Sequence, residues 1–147
     1  MKQAMRMREK AILRVVSRGF VPYILLLALY VQFHGDFGPG GGFQAGVIFS
    51  AALILYGLIF GLHELKEVMP PRLVEVLSAG GVFLYGSVGV ASMLLGSNYL
   101  DYDPLAGDVV HGQHYGIIII ELGVGITVTT TMTMIFYAFA GRGANSD

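Results

Sequence analysis

The chain has no cysteine and no tryptophan, and only 13% of its 147 residues are charged. Without cysteine there is neither a disulfide framework nor a thiolate metal site. A soluble domain carries roughly a quarter charged residues. The deficit here, together with 54% hydrophobic residues and a mean hydropathy of +0.66, points to lipid. With tryptophan missing, any interfacial aromatic belt must come from tyrosine and phenylalanine. The net charge of −1 carries no electrostatic footprint of nucleic acid, and no nucleic-acid partner is expected.

What the chain does have is apolar length. Four segments stand out, at approximately 14–33, 43–62, 73–95 and 115–140. Each has about the twenty residues that cross a hydrocarbon core of roughly 30 Å at helical rise. A strand of a membrane barrel would be about half as long and would alternate. The expected fold is therefore an all-α integral membrane protein, one domain over 1–147 with four transmembrane helices.

Basic residues are distributed on one side only. Lys2, Arg6, Arg8, Lys10, Arg14 and Arg18 precede or open the first segment, Lys66 and Arg72 lie in the second loop, and Arg142 follows the fourth segment. The first and third loops hold none and carry Asp36, Asp101, Asp103 and Asp108 instead. By the positive-inside rule both termini are cytoplasmic. The stretch Met1 to Arg18 reads as a basic amphipathic start on the inner leaflet. "YILLLALYV" runs on into "VQFHGDF" with no small-x-small site, so it is read as an uncleaved first helix rather than a cleaved signal.

Glu121 is the residue that costs most where it stands. A carboxylate inside an apolar run must face other helices, a partner or water. Counted from Tyr115 it lies about 9 Å into the fourth segment. Helical spacing puts His114, Glu121, Gly125 and Thr129 on one face, and Thr127, Thr130, Thr131 and Thr133 make the following turns rich in hydroxyls. Two readings stand side by side: a buried hydrogen bond that fixes helix packing, or a proton or cation relay. Glu75, at the start of the third segment, reads as an interfacial group paired with Arg72 or capping the helix. The outer aspartates lack the alternating pattern of a Ca²⁺ loop and read as solvated. "HGQH", His111 to His114, has metal-ligand spacing on one helical turn but no further ligands in view. No histidine lies mid-segment, so a haem with two imidazole ligands is not expected, and no cofactor or metal is expected at all.

The stretch "FHGDFGPGGGFQAG", Phe33 to Gly46, concentrates the glycines. A phosphate-binding loop would follow a strand and end in Gly-Lys-Ser/Thr; this one leads into an apolar helix with no lysine in reach. Pro39 suits a turn opening a helix, and Gly40 to Gly42 permit close backbone approach. Gly42, Gly46 and Ser50 recur every four residues, as do Gly57 and Gly61, Ser92 and Gly96, and Gly123 and Thr127. Such small-xxx-small faces let helices pack closely in lipid, and the chain reads as built to be packed against, inside a larger assembly.

These residues carry a resemblance. "HGDFGPGGGFQAGVI", a glycine-rich third segment and "ELGV" in the last resemble the MnhB/MrpB family, small subunits of the multisubunit Mrp-type sodium/proton antiporters, over almost the whole chain. The resemblance implies a secondary-transporter subunit, not an enzyme, in the cell (inner) membrane of a bacterium or archaeon. Its partners would be large antiporter subunits like those of respiratory complex I and other small membrane subunits, and its ions sodium and protons. It implies a structural motif of His34, Gly35, Pro39, Gly40, Gly41, Gly42, Phe43 and Gly46. With the acid of the last helix it makes Glu121, Thr129, His114 and His34 the ion-path candidates. A homologous MnhB-like component of an ion-translocating membrane-bound hydrogenase or related redox complex is the alternative. A self-contained small transporter that dimerises is a third possibility, though four-helix multidrug pumps place their acid in the first helix.

Overall fold

The computed structural model describes residues 2–35, 40–105 and 109–143. Pro39, Asp36 and Asp108 fall outside the described residues. The described chain is helical, with no strand, as the apolar runs require: α1 (Lys2–Phe33), α2 (Gly42–Phe60), α3 (Leu62–Val68), α4 (Pro71–Leu94) and α5 (Val109–Gly143), with a short 3₁₀ turn at Asp103–Leu105. Four of these helices are long and apolar enough to cross a membrane, over Ala11–Phe33, Gly42–Phe60, Pro71–Leu94 and His111–Gly141.

Several helix boundaries differ from the sequence reading, and α1 already begins at Lys2. The second apolar run does not continue to Leu62. Gly61 takes φ 114, a conformation glycine adopts at little cost, and the chain breaks there into the separate helix α3. The third helix starts at Pro71, whose fixed φ and missing N–H suit a first helical turn. The fourth begins at Val109, so "VVHGQH" is helical despite its polarity. Glu121 is thus twelve residues into α5, about 18 Å at helical rise, twice the depth counted from Tyr115.

In space the long helices follow the order α1, α2, α5, α4, with α5 between α2 and α4. α1 lays Ser17, Val21, Ala28 and Gln32 inward and passes through Pro22 without ending. The freed backbone group is tolerable in lipid because neighbours can satisfy it. α2, packed by α1 and α5, buries Gly42, Ala45, Gly46, Ser50, Ala52, Leu53 and Gly57, nearly all of them small. Outward-facing residues are large and apolar, among them Leu27, Phe83, Leu94 and Phe139, as a lipid-facing or partner-facing surface requires. This is a multi-pass membrane protein.

The two ends of the bundle have different chemistry. At the end carrying the basic residues, Arg18 lies over the Phe60 ring and Lys66 over the Tyr137 ring, while the Tyr137 hydroxyl donates to the Met69 carbonyl at 2.7 Å. At the other end, the Tyr99 ring packs on Gly89 and the Tyr102 ring on Gly116. Burial pushes the Tyr102 phenol above its ordinary pKa. Asp103 accepts from Gln113 Nε2 at 2.6 Å, so this aspartate is a tie between the 3₁₀ turn and α5.

Candidate functional site

The site is built where three helix segments meet: the last residues of α1, the start of α2, and the stretch of α5 around Glu121. The glycines decide its geometry because each removes a carbon that would collide. A β-carbon on Gly35 would lie 2.9 Å from Glu121 Oε2 and 3.1 Å from Oε1, and one on Gly41 would lie 2.9 Å from Oε1. On Gly42 it would strike the backbone carbonyl of Glu121 itself. One turn further, a β-carbon on Gly46 would lie 2.8 Å from the Gly125 carbonyl and 2.8 Å from Val128 Cβ. Such carbons are essentially never found nearer than 3.0 Å to a heavy atom. The backbones of α2 and α5 are therefore in direct contact, and the Glu121 carboxylate occupies the room that Gly35 and Gly41 leave.

That placement has an electrostatic consequence. The first N–H groups of a helix have no partner within it, and a helix N-terminus stabilises negative charge. α2 has no acidic residue in its first turn, and its N-cap, Gly41 at φ 150, supplies no side-chain cap. The carboxylate that the α2 sequence lacks arrives from α5, because Glu121 abuts Gly41. Both readings of Glu121 therefore stay open: the carboxylate fills the space between helices, and it is an ionisable group in a membrane-spanning segment next to a glycine loop.

The other candidates distribute unevenly. Thr129 is buried and belongs to the same face: its hydroxyl is 2.8 Å from the Gly125 carbonyl and 3.2 Å from the Gly46 carbonyl on α2, and donates toward both. Three further hydroxyls are turned to their own helix. Thr127 donates to Gly123, Thr130 to Ile126 and Thr133 to Thr129, at 2.7 to 2.8 Å. His34 is exposed, stacked on Tyr30 with ring centroids 4.9 Å apart, and next in sequence to the cradle residue Gly35. His114 is also exposed, two turns before Glu121 toward the start of α5. Phe43 points outward and is 61% exposed. Gly40 packs against the last turn of α1, at Val31. Glu75 is exposed, and among the described residues no ion pair joins it to Arg72.

The small-residue faces find partners inside this chain. Gly42 and Gly46 meet α5, Gly57 meets Leu65 and Phe136, and Gly123 meets Gly81 on α4. Gly61 and Gly96 lie outside the long helices, at positive φ with nothing near them, so their pairings with Gly57 and Ser92 form no packing face.

One residue at the site was not singled out from the sequence. Gln32 of α1 is only 8% exposed, and its Oε1 lies 2.6 Å from where a β-carbon on Gly125 would stand. Its one signal was a lone amide near the end of an apolar run, one turn before Gly35.

Known proteins share this arrangement's sequence. Residues 12–134 match the domain family described as related to the MnhB subunit of Na⁺/H⁺ antiporter. The chain belongs to the MnhB family. A protein of Staphylococcus haemolyticus (strain JCSC1435), named as a candidate antiporter subunit mnhB2, is 34% identical over 89 residues, 60% of this chain and 62% of that one. A protein of the same name from Staphylococcus aureus (strain Newman) is 35% identical over 89 residues, with the same coverage. The aligned stretch therefore spans a little under two thirds of these relatives' length. The glycine loop and Glu121 both fall within the residues that match the MnhB family.

Proposed function

We propose that this chain is a small membrane subunit of an Mrp-type multisubunit sodium/proton antiporter, with its glycine-loop end outward and both termini cytoplasmic. It sits in the cell membrane of a bacterium or archaeon, beside large complex I-like antiporter subunits and other small subunits. It performs no covalent chemistry of its own. Its share of the work is to hold Glu121 on the path of the cation or proton.

The observation that carries this is the carboxylate itself. Glu121 stands twelve residues into a membrane-spanning helix, cradled by Gly35 and Gly41 at the N-terminus of α2. An ionisable group at membrane depth is costly and is kept where it pairs or serves an ion pathway. Membership of a family related to an antiporter subunit supports the same reading, as does the broad apolar surface available for neighbouring subunits.

The test is sodium-dependent proton movement in inverted vesicles carrying the whole complex with Glu121→Gln. The expected result is intact assembly with antiport reduced about a hundredfold or more, the scale of a lost proton-transfer group. Normal rate and normal apparent sodium affinity in an assembled complex would overturn the role of Glu121. Co-purification with iron–sulfur or nickel subunits, in place of antiporter subunits, would instead assign the chain to a redox complex.

A further inference from the structure

Gln32 has no place in the reading above, yet it is a buried residue of α1 whose amide lies against Gly125 of α5. Burying an amide in apolar surroundings is costly unless its polar atoms are compensated. If α1 needed only to pack, an aliphatic side chain would do it, as Val21 and Ala28 do further along the same inward face.

The geometry around Gln32 is specific. Its Oε1 faces the bare Cα of Gly125: a β-carbon there would lie 2.6 Å from Oε1 and 3.3 Å from the Gly42 carbonyl. Gly125 is one turn beyond Glu121 on α5, and Gln32 is one turn before Gly35 on α1. Gly35 in turn closes on the Glu121 carboxylate. Away from this contact the helices part around a cavity of about 310 Å³, whose wall includes Ala28, Phe49, Leu77 and Ile126 beside Gln32 and Thr129. Such an apolar lining gives water few partners. The Gln32–Gly125 contact thus ties the end of α1 directly to α5.

We propose that Gln32 is a positioning residue for Glu121: seated on Gly125, its amide fixes the height at which Gly35 closes over the carboxylate. This rests on the reading of Glu121 as an ion-path group. Gln32 itself need not touch the ion. It controls how tightly the carboxylate is enclosed, and so the affinity with which a cation or proton is held there.

The experiment uses the assembled complex in inverted vesicles, with Gln32→Leu and Glu121→Gln measured side by side. Gln32→Leu is expected to leave assembly intact and to raise the sodium concentration for half-maximal antiport by roughly tenfold, the low end for losing a group that orients a ligand. The maximal rate is expected to change much less. Gly125→Ala, which drives a carbon into Oε1, is expected to shift the affinity in the same sense. Combining it with Gln32→Ser, which withdraws the amide, is expected to give less than the sum of the two single effects, as for coupled neighbours. Should Gln32→Leu fail to accumulate, Gln32→Met offers an unbranched chain of the same length. Unchanged sodium affinity in Gln32→Leu or Gln32→Met, with Glu121→Gln impaired, overturns the positioning role and leaves the Glu121 reading standing. A silent Glu121→Gln overturns both.

Discussion

α5 has two faces that look alike in sequence and differ in chemistry. Toward α4, Gly123 lies against Gly81, and the Thr127 hydroxyl turns back to the Gly123 carbonyl. Toward α2, Gly125 lies against the Gly42 carbonyl and Gly46 against the Gly125 carbonyl. Both faces achieve close backbone approach, which in lipid replaces the hydrophobic driving force. Only the α2 face adds a carboxylate, a buried amide, and a threonine that reaches across to the partner helix. The α4 face closes its polar groups on its own helix. The difference suggests that close packing is general to this fold, while ionisable chemistry is confined to one side of the central helix. Damage to the α4 face should lower stability and activity together; damage to the carboxylate side should separate them.

The largest expected effect breaks the α2 face outright. In Gly46→Val, the β-carbon alone would lie 2.8 Å from the Gly125 carbonyl and from Val128 Cβ, whose positions are fixed by backbone. Overpacking costs about 1–3 kcal/mol where side chains can move, and more where backbone must. The chain is expected to be lost from membranes, measured as its abundance relative to a co-expressed membrane marker. Wild-type abundance would mean that α2 and α5 can separate.

Next is Gly81→Ala on the α4 face. The added carbon meets the Thr127 hydroxyl and, at 2.7 Å, the Gly123 carbonyl. The expected outcome is a lowered melting temperature in detergent, with antiport per assembled complex unchanged. A selective loss of antiport at full stability would put ionic function on the wrong face and erase the contrast.

Much of this architecture was legible because a span is a one-dimensional signal: twenty apolar residues suffice to name a helix. Glu121 was legible for the same reason, as a charge where charge is expensive. Its cradle was not, since Gly35 and Gly41 lie far from Glu121 in sequence and only the tertiary fold joins them. The spacing of Gly42, Gly46 and Ser50 revealed a packing face but not its partner; it suggested neighbouring chains, whereas α5 of the same chain fills it. The seven-residue α3 was hidden because Gly61 looks like one more member of a glycine repeat until its φ is known. Gln32 was missed because a polar residue at the end of an apolar run resembles an ordinary interfacial one.

A smaller effect sharpens the comparison through hydroxyls. Thr129 bonds both its own helix and the Gly46 carbonyl of α2, while Thr127 bonds only the Gly123 carbonyl of its own helix. Replacing each by valine keeps the shape and removes the donor. Interhelical hydrogen bonds in membranes average about 0.6 kcal/mol, so Thr129→Val is expected to destabilise by about that amount and Thr127→Val by less, in thermal unfolding of the purified chain in detergent. Equal losses would show that the bond across to α2 contributes nothing beyond the one within the helix.

The smallest expected effect has the opposite sign. Gly80 and Gly86 lie within α4, and an added β-carbon on either would meet nothing within 4 Å. They are therefore not part of the close contact that Gly81 makes. In a helix interior, alanine is favoured over glycine by roughly 0.5–1 kcal/mol, because the unfolded glycine backbone has more freedom to lose. Gly80→Ala and Gly86→Ala should each hold or raise the melting temperature of the detergent-solubilised chain, next to a clear drop for Gly81→Ala. If either lowered it as Gly81→Ala does, the empty side of α4 would be a packing surface too, and glycine spacing alone would not separate the face that meets α5 from the one that does not.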